Sequence, residues 1–210
     1  MTPYSRPFSV LVWGLLGFVI LVITTSFVWK QMERSRPPLP VLGQVPDFTL
    51  TNQLNQTVSL KSLHGQIWVA DVIFTRCPGP CLQMTRRMKE LQDVLRPHAA
   101  VKLVSITSDP EFDTVKVLRS YAQRVSADPA RWHFLTGPNA EIRPFVVDGL
   151  KLVLLDKKPE DRTIPEDLFI HSTLFAVIDK QGRLRAAVES LETNAPAELV
   201  AAIRTLQREK

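Results

Sequence analysis

Two cysteines, Cys77 and Cys81, are the only ones in the 210-residue sequence, and Pro78-Gly79-Pro80 separates them. They follow a strongly apolar run and precede a segment with helical spacing, so we expect Cys77 in the loop that leaves a strand and Cys81 in the first turn of a helix. Unpaired N–H groups and the positive end of the helix dipole favour a thiolate there. Pro80 suits the first helical position, where its missing N–H costs no hydrogen bond. The pattern therefore predicts a reactive thiol pair.

A structural disulfide is the plainest alternative. Closing so short a loop removes only ~2 kcal/mol of unfolded-state entropy, against ~3 kcal/mol for a 15-residue loop, and a domain of this length needs no such staple. The two thiols could serve as a redox couple, as a metal clamp or as both, and the sequence leaves these uses open. Structural zinc usually takes four ligands, and the chain has no further cysteine. Two thiolates with one imidazole instead suit a soft ion such as Cu(I).

Four histidines could supply that imidazole. His64 lies in a predicted surface turn, His98 follows a predicted helix end, and His133 takes an exposed alternate position on a predicted strand. His171 differs because it stands at the entrance of the long apolar segment 172–179. If this strand lies beside 67–74 in the sheet, the loop leading into it faces the Cys77 loop. Spacing alone leaves His171 open as either a ligand or a structural histidine.

Alternating strands and helices are predicted to position these residues. The predicted strands are 48–50 and 57–60 (a hairpin around 52–55), 67–74, 101–107, 132–135, 152–155, 173–178 and 183–190. The predicted helices are 82–95, 113–125, 140–148 and 196–207, with Asp113 or Thr114 as the cap of the second and with Leu82, Met88, Leu91 and Leu95 as core positions of the first. This order predicts an α/β sandwich with a mixed central sheet in a single globular domain.

Residues 8–29 contain no charge. At about 1.5 Å per residue in a helix, such a run spans a hydrocarbon core of roughly 30 Å. A cleavable signal peptide would have a shorter apolar region followed by small residues, whereas this run ends in Phe27-Val28-Trp29-Lys30. We therefore expect a tail (1–7), a transmembrane anchor (8–29), a Pro-rich juxtamembrane linker (30–45) and a domain (46–210).

The charge distribution limits the partners and bears on the topology. The net charge is +5, but residues 1–36 carry four Lys/Arg and one acid, which leaves the remainder with 22 bases and 20 acids. No basic stripe alternates with aromatic residues, so nucleic acid is not an expected partner. Lys30, Arg34 and Arg36 outnumber Arg6 on the other flank, which taken alone mildly favours a cytoplasmic domain. The thiol chemistry and the resemblance described next argue for the opposite side.

Four segments of the sequence resemble a known family. They are Phe74–Cys81 (FTRCPGPC), Thr107–Thr114 (TSDPEFDT), Trp132–Gly137 (WHFLTG), and His171-Ser172-Thr173 with Ile178–Arg183 (IDKQGR). In this order they resemble the Sco (SenC-type) proteins, which are membrane-anchored thioredoxin-fold copper chaperones of cytochrome c oxidase assembly. The similarity extends from about residue 46 to the C-terminal helix.

The resemblance implies a thioredoxin-like fold and a copper ion, either Cu(I) or Cu(II), held by Cys77, Cys81 and His171. It implies that the domain faces the periplasm from the bacterial inner membrane. It also implies that the chain delivers copper to, or reduces cysteines of, the copper-binding subunit of cytochrome c oxidase or another copper or thiol acceptor. The sequence departs from the family in three places: Leu82 replaces a common proline, Gly79 and Pro80 replace an acidic residue, and 138–170 are not diagnostic.

Three other functions remain open at this level. The chain could be a general thiol–disulfide oxidoreductase without a stable metal, in which Cys77 attacks and Cys81 resolves the mixed disulfide. It could be a thiol peroxidase, for which Arg76 is the candidate polarising residue. It could also be a purely structural domain. The sequence does not fix an oligomeric state.

Overall fold

The computed structural model describes residues 6–34, 37–96 and 101–209, and it divides into two compact units, Met1–Pro38 and Leu39–Lys210. The first unit contains helix α1 (Arg6–Arg34), in which Val10–Trp29 is long and apolar enough to cross a membrane. The side chains of that stretch are exposed all round the helix. A helix that is apolar on all sides is typical of a membrane span, and the apolar segment of a signal sequence has the same character.

The second unit is built on an eight-stranded sheet, which is mixed as the sequence predicts. In chain order its elements are β1 (Gly43–Gln44), β2 (Thr49–Asn52), β3 (Thr57–Ser59), α2 (Leu60–Leu63), β4 (Ile67–Ile73), α3 (Cys81–Val94), β5 (Val101–Thr107), α4 (Val115–Arg124), β6 (Trp132–Thr136), α5 (Asn139–Pro144), β7 (Leu154–Asp156), β8 (Phe169–His171), β9 (Leu174–Ile178), β10 (Arg183–Glu189) and α6 (Ala195–Arg208). The strand order is β1-β10-β9-β4-β5-β6-β2-β3, and β4, β5 and β6 are parallel.

Strand β4 lies inside the sheet and is buried along its whole length. Its side chains alternate between two cores: Val69 and Ile73 pack with residues of α3, α4 and α6, whereas Trp68 and Val72 pack with residues of α2 and α5. Burial on both faces explains why the sequence of this strand is almost continuously apolar. It also gives the segment that precedes Cys77 a rigid support.

Helix α3 turns one stripe of side chains into the core. Its buried residues include Cys81, Met84, Met88 and Leu91, which recur at intervals of three and four as an amphipathic helix requires. The prediction that Leu82 is a core position is wrong, because Leu82 is 50% exposed. Leu82 lies six residues before Met88, a spacing that places the two side chains on different faces of a helix.

Between β6 and β9 the predicted elements differ from the observed ones. The predicted helix 140–148 ends as an α-helix at Pro144 and continues as a π-helical turn, Phe145–Gly149. The predicted strand 152–155 is observed at Leu154–Asp156, and it pairs with β8, which the sequence analysis did not predict. Strands β7 and β8 form a separate two-stranded sheet. The chain segment before His171 is thus a hairpin beside the main sheet.

Candidate metal centre

The two cysteines occupy different positions at the junction of β4 and α3. Cys81 is the first residue of α3 and is 1% exposed, while Cys77 lies in the preceding loop and is only half-buried. Pro80 has helical backbone angles, and its carbonyl accepts the first helical hydrogen bond, from the Met84 N–H at 2.9 Å. The Cys77 N–H donates to the Phe74 carbonyl at 3.2 Å, which folds the loop back over the end of the strand.

His171 reaches the cysteines because β9 lies antiparallel beside β4, which meets the condition that the sequence analysis set for this histidine. The beginning of β9 therefore lies at the same edge of the sheet as the end of β4. His171 Nε2 is 3.1 Å from Cys81 Sγ, and Nε2 and both sulfur atoms lie within 4.8 Å of one another. Ninety residues separate Cys81 from His171 in sequence, yet they share one site.

The orientation of the His171 ring is fixed by two neighbours. His171 Nδ1 lies 3.0 Å from the Ser172 carbonyl oxygen. A carbonyl oxygen can only accept, so Nδ1 carries a proton and donates it, and Nε2 is the ring nitrogen that faces the sulfur atoms. The ring also packs edge-on against Phe74, with centroids 5.9 Å apart. Phe74 in turn packs edge-on against Phe169 of β8 at 5.3 Å.

The two thiols have opposite electrostatic settings. The hydrogen bond that Cys77 receives from Cys81, helped by His171 and by the N–H of Gly79, lowers the pKa of Cys77 to about 4 despite its partial burial. The pKa of Cys81 is raised, first by its hydrogen bond to Cys77 and then by its burial. Burial acts to lower the pKa of His171, but the nearby Cys77 thiolate and the Ser172 carbonyl outweigh it and raise that pKa overall. At neutral pH the metal-free site therefore holds one thiolate, one thiol and an imidazole that readily takes up a proton.

A carboxyl group that the sequence analysis missed is buried in β4, the strand that leads to the cysteines. Asp71 of β4 is fully buried, and neither of its oxygen atoms has a hydrogen-bond partner among the described residues. Ser105 is its register neighbour on β5, but its hydroxyl accepts from the Trp132 indole N–H and does not reach Asp71 with normal hydrogen-bond geometry. Burial raises the pKa of Asp71 to about 7, an effect that Ser105 and the charge of His171 offset only in part.

His64 and His133, the other histidines that the structure describes, do not join the site. His64 is exposed at the C-terminal end of α2. His133 was predicted to be exposed but is half-buried on β6, where its Nδ1 lies 3.4 Å from Asn52 Nδ2. Strand β6 is not at the edge of the sheet, because β2 pairs with it on the side away from β5, and the sequence pattern did not reveal this pairing. His98 lies outside the described residues.

Arg76, the candidate residue for polarising a peroxide, is held by the loop that follows β5. Its Nε donates to Asp109 Oδ2 at 2.8 Å, and its guanidinium lies 4.5 Å from the centroid of the Phe112 ring. An ion pair and a cation–π contact thus engage this side chain. Neither contact involves a sulfur atom.

A cleft of about 230 Å³ exposes the site to solvent on the Cys77 side. One wall is formed by the residues between the cysteines and the other by Phe169, Ile170 and His171. An ion pair between Lys157 Nζ and Asp167 Oδ2, 2.6 Å apart, lines the same cleft. Two sulfur atoms and one imidazole nitrogen that converge beside an open cleft fit a soft ion in low coordination, and they leave room for a ligand from another molecule.

The fold and this site define a class: a thioredoxin-like domain with a dithiol at the start of a helix and a histidine from the facing hairpin. The chain belongs to the SCO1/SenC family, whose model matches residues 42–208. It is 33% identical over 168 residues to the SCO1 protein homolog of Bacillus subtilis, an alignment that covers 79% of this chain and 84% of that protein.

Solved structures agree with this assignment. BsSco, described as a member of the Sco family of cytochrome c oxidase assembly proteins with a disulfide switch, is 29% identical with a TM-score of 0.71, and the match covers 83% of this chain and all of that one. ScoI of Bradyrhizobium japonicum, solved with copper bound, shares the fold at 23% identity with a TM-score of 0.64, over 78% of this chain and 98% of that one. The predicted thioredoxin-like fold and family are confirmed.

Proposed function

We propose that this chain binds one copper ion through Cys77, Cys81 and His171 and serves cytochrome c oxidase assembly by delivering the ion to the oxidase or by reducing cysteines of its copper site. Residues 8–29 would anchor it in the bacterial inner membrane, with residues 46–210 in the periplasm. The family assignment supports the assembly role, and the relative solved with copper bound supports the choice of metal. The observation that carries the proposal is the convergence of the three donor atoms within 4.8 Å.

The donor set accounts for both holding and releasing copper. Thiolates are soft ligands that favour Cu(I), and a site with three protein ligands leaves a position where a recipient ligand can enter before the first ligands leave. The cleft beside Cys77 gives that recipient access. Copper is therefore the cargo, and transfer proceeds by stepwise ligand exchange.

The asymmetry of the thiols supports disulfide reduction as a second activity of the same residues. The Cys77 thiolate attacks one sulfur of a partner disulfide, which forms a mixed disulfide and releases a partner thiolate. Cys81, once deprotonated, attacks the Cys77 sulfur and releases the second partner thiolate. The partner gains two electrons, and this chain is left with a Cys77–Cys81 disulfide. Because that disulfide contains no thiolates, its formation would release bound copper.

Anaerobic titration of the full-length chain with Cu(I) in detergent, in competition with a chromogenic chelator, tests the copper site. We expect one Cu(I) per reduced chain and an affinity that falls in His171→Ala while the far-ultraviolet circular dichroism is retained. His133→Ala is the matched control, because it removes a half-buried imidazole from another strand and should leave the affinity unchanged. An unaltered affinity in His171→Ala would remove this residue from the site.

A topology reporter tests the location. We expect a reporter that works only in the periplasm to be active when it is fused after Lys210, and a reporter that works only in the cytoplasm to be inactive there. Activity of a cytoplasmic reporter at the same position would favour the weak charge signal of Lys30, Arg34 and Arg36 over the chemistry and would contradict the proposed orientation.

A further inference from the structure

Asp113 lies in a segment that the sequence analysis singled out, yet its side chain does not cap α4. Thr114 does so, by accepting the Val117 N–H. Asp113 is instead fully buried, and its carboxylate points to the ends of two strands. It accepts hydrogen bonds from the Thr75 N–H at 3.0 Å, from the Thr107 hydroxyl at 2.5 Å and from the Thr75 hydroxyl.

These hydrogen bonds connect the cysteine loop to the neighbouring strand. Strands β4 and β5 run parallel, with Ile73 opposite Thr107, so Thr75 and Thr107 emerge at the same edge of the sheet. Thr75 is two residues before Cys77. The other side-chain bond that ties this loop to a distant segment in the described part of the chain is that of Arg76 with Asp109, and its guanidinium is partly exposed.

Cys77 depends on this connection more than the other donors do. Cys81 is held by the backbone of α3 and by the core, and His171 is held by the Ser172 carbonyl and by Phe74. Cys77 sits on a loop above the strand, where the local hydrogen bond of its N–H to Phe74 is 3.2 Å long. A metal ligand on a loop keeps its geometry only if residues that do not themselves bind the metal support the loop.

We propose that Asp113 is a positioning residue of the copper site: by binding both the N–H and the hydroxyl of Thr75, it holds the loop so that Cys77 faces Cys81 and His171. The expected effect of Asp113 on copper affinity rests on the proposed function. Asp113 itself contacts no donor atom of the site. It acts through the backbone of Thr75 and Arg76, and its own place is secured by Thr107.

Four variants of the full-length chain test the proposal. Asp113→Ala removes all three hydrogen bonds, and Thr75→Val removes one hydroxyl while keeping the shape and the N–H. Asp113→Asn is the conservative rescue, since its oxygen can accept the Thr75 N–H and its amide can donate to a hydroxyl oxygen. Asp179→Ala is the matched control: it is also a buried carboxylate with several donors, but β9 ends beside Trp68, at the opposite edge of the sheet.

Two readouts are measured: Cu(I) affinity by chelator competition, and hydrogen exchange of the peptide covering residues 74–80 in the metal-free chain. We expect Asp113→Ala to lose about 10–100-fold in affinity, the range for residues that support metal ligands, with Thr75→Val intermediate and Asp113→Asn near the wild type. Exchange of the loop should be faster in Asp113→Ala and Thr75→Val. Asp179→Ala should change neither readout, although it destabilises the fold.

Three results would overturn the proposal. These are an affinity of Asp113→Ala within twofold of wild type, loop exchange that is unchanged in Asp113→Ala and Thr75→Val, or an equal loss in Asp179→Ala. If Asp113→Ala fails to fold, Thr75→Val with its isosteric side chain decides between the expected and the contrary result. If the wild-type chain binds no Cu(I), the proposed function fails, while the exchange data still decide whether Asp113 positions the loop.

Discussion

The candidate site has two halves, the cysteines and the histidine, and different parts of the fold hold them in place. The cysteines sit where β4, buried along its whole length between β5 and β9, passes into α3. The histidine sits on the β7–β8 hairpin, which pairs with no other strand in the described part of the chain and exposes both Leu155 and Ile170 from one cross-strand pair. The core holds Cys81, and the loop that is hydrogen-bonded to Asp113 holds Cys77, whereas one hydrogen bond and aromatic packing hold the imidazole. We therefore expect the thiolates to dominate affinity and His171 to be the ligand released first.

Removal of a cysteine is expected to have the largest effect. Cys77→Ser and Cys81→Ser should each lose more Cu(I) affinity than the roughly 10–100-fold carried by residues that only support a ligand, because each removes a soft donor. Leu82→Ala, next to Cys81 but half exposed, is the control and should bind Cu(I) like the wild type. Chelator competition measures the constants. Comparable losses in a cysteine variant and in His171→Ala would contradict the expected dominance of the thiolate half.

The pH dependence of binding separates the two halves in a second way. Cys77, with a pKa of about 4, is already ionised at neutral pH, whereas the raised pKa values of Cys81 and His171 mean that each can hold a proton that copper must displace. Affinity should therefore fall as the pH falls, by about one to two powers of ten per pH unit between roughly pH 5 and 7. His171→Ala should reduce the slope to about one. A slope that is the same in the variant would show that the imidazole carries no displaced proton.

Asp71 lowers the stability of the fold at neutral pH, because its carboxyl group is buried in β4 without a hydrogen-bond partner among the described residues. Its pKa of about 7 in the fold exceeds its ordinary value of 3.8, so the unfolded chain releases this proton first and stability falls as the pH rises from about 4 to about 7. Asp71→Asn should remove this penalty and raise the free energy of unfolding at pH 8 by roughly 3–4 kcal/mol at most, with little gain at pH 4. Urea unfolding at both pH values measures it.

Asp179→Asn is the control for Asp71→Asn, because we expect it to change the free energy of unfolding in the opposite direction. The pKa of Asp179 is lowered in the fold, where burial is outweighed by the hydrogen bonds of Arg183 and Arg185. Its stabilising effect is therefore present above its ordinary pKa and is lost in acid, and the Asn variant should be destabilised at pH 8. Equal behaviour of the two variants would contradict the difference between an unpartnered and a partnered buried carboxyl.

The smallest effect is expected in hydrogen exchange, which compares the hairpin that carries His171 directly with the strand that precedes the cysteines. In the metal-free chain we expect amides of the β7–β8 hairpin to exchange faster than those of β4, since the hairpin has fewer buried apolar contacts. Addition of Cu(I) should slow exchange in peptides containing His171 and leave β4 unchanged. If copper protects β4 more than the hairpin, our account of which half is mobile is wrong.

The same contrast explains what the sequence could and could not predict. Strands 67–74 and 101–107 were visible because burial on both faces leaves a continuous apolar signature. Strand β8 was missed because three residues, one of them the exposed Ile170, carry no readable period. The error at Leu82 was avoidable: the spacing of Met84, Met88, Leu91 and Leu95 marks the buried stripe, and Cys81 extends it by one turn, which also predicts that Cys81 is the buried thiol.

The candidate site shows the same division. The cysteine pair could be chosen from the sequence because it is a local pattern. His171 stood out by its place before an apolar strand, and the resemblance favoured it as a ligand. Asp71 was not singled out and Asp113 was considered only as a helix cap, because the surroundings of both carboxyl groups depend on contacts with segments that are distant in sequence. A carboxyl inside an apolar strand, as Asp71 is in IWVADVIF, is a signal that could have drawn attention to that position.

X-ray absorption spectroscopy of the Cu(I)-loaded full-length chain tests the central claim most directly, because it counts the donor atoms around the metal. We predict two sulfur neighbours and one nitrogen neighbour in the wild type, and two sulfur neighbours without that nitrogen in His171→Ala, with His133→Ala identical to the wild type. Two sulfur neighbours alone in the wild type, or a nitrogen that persists in His171→Ala, would contradict a centre built from Cys77, Cys81 and His171.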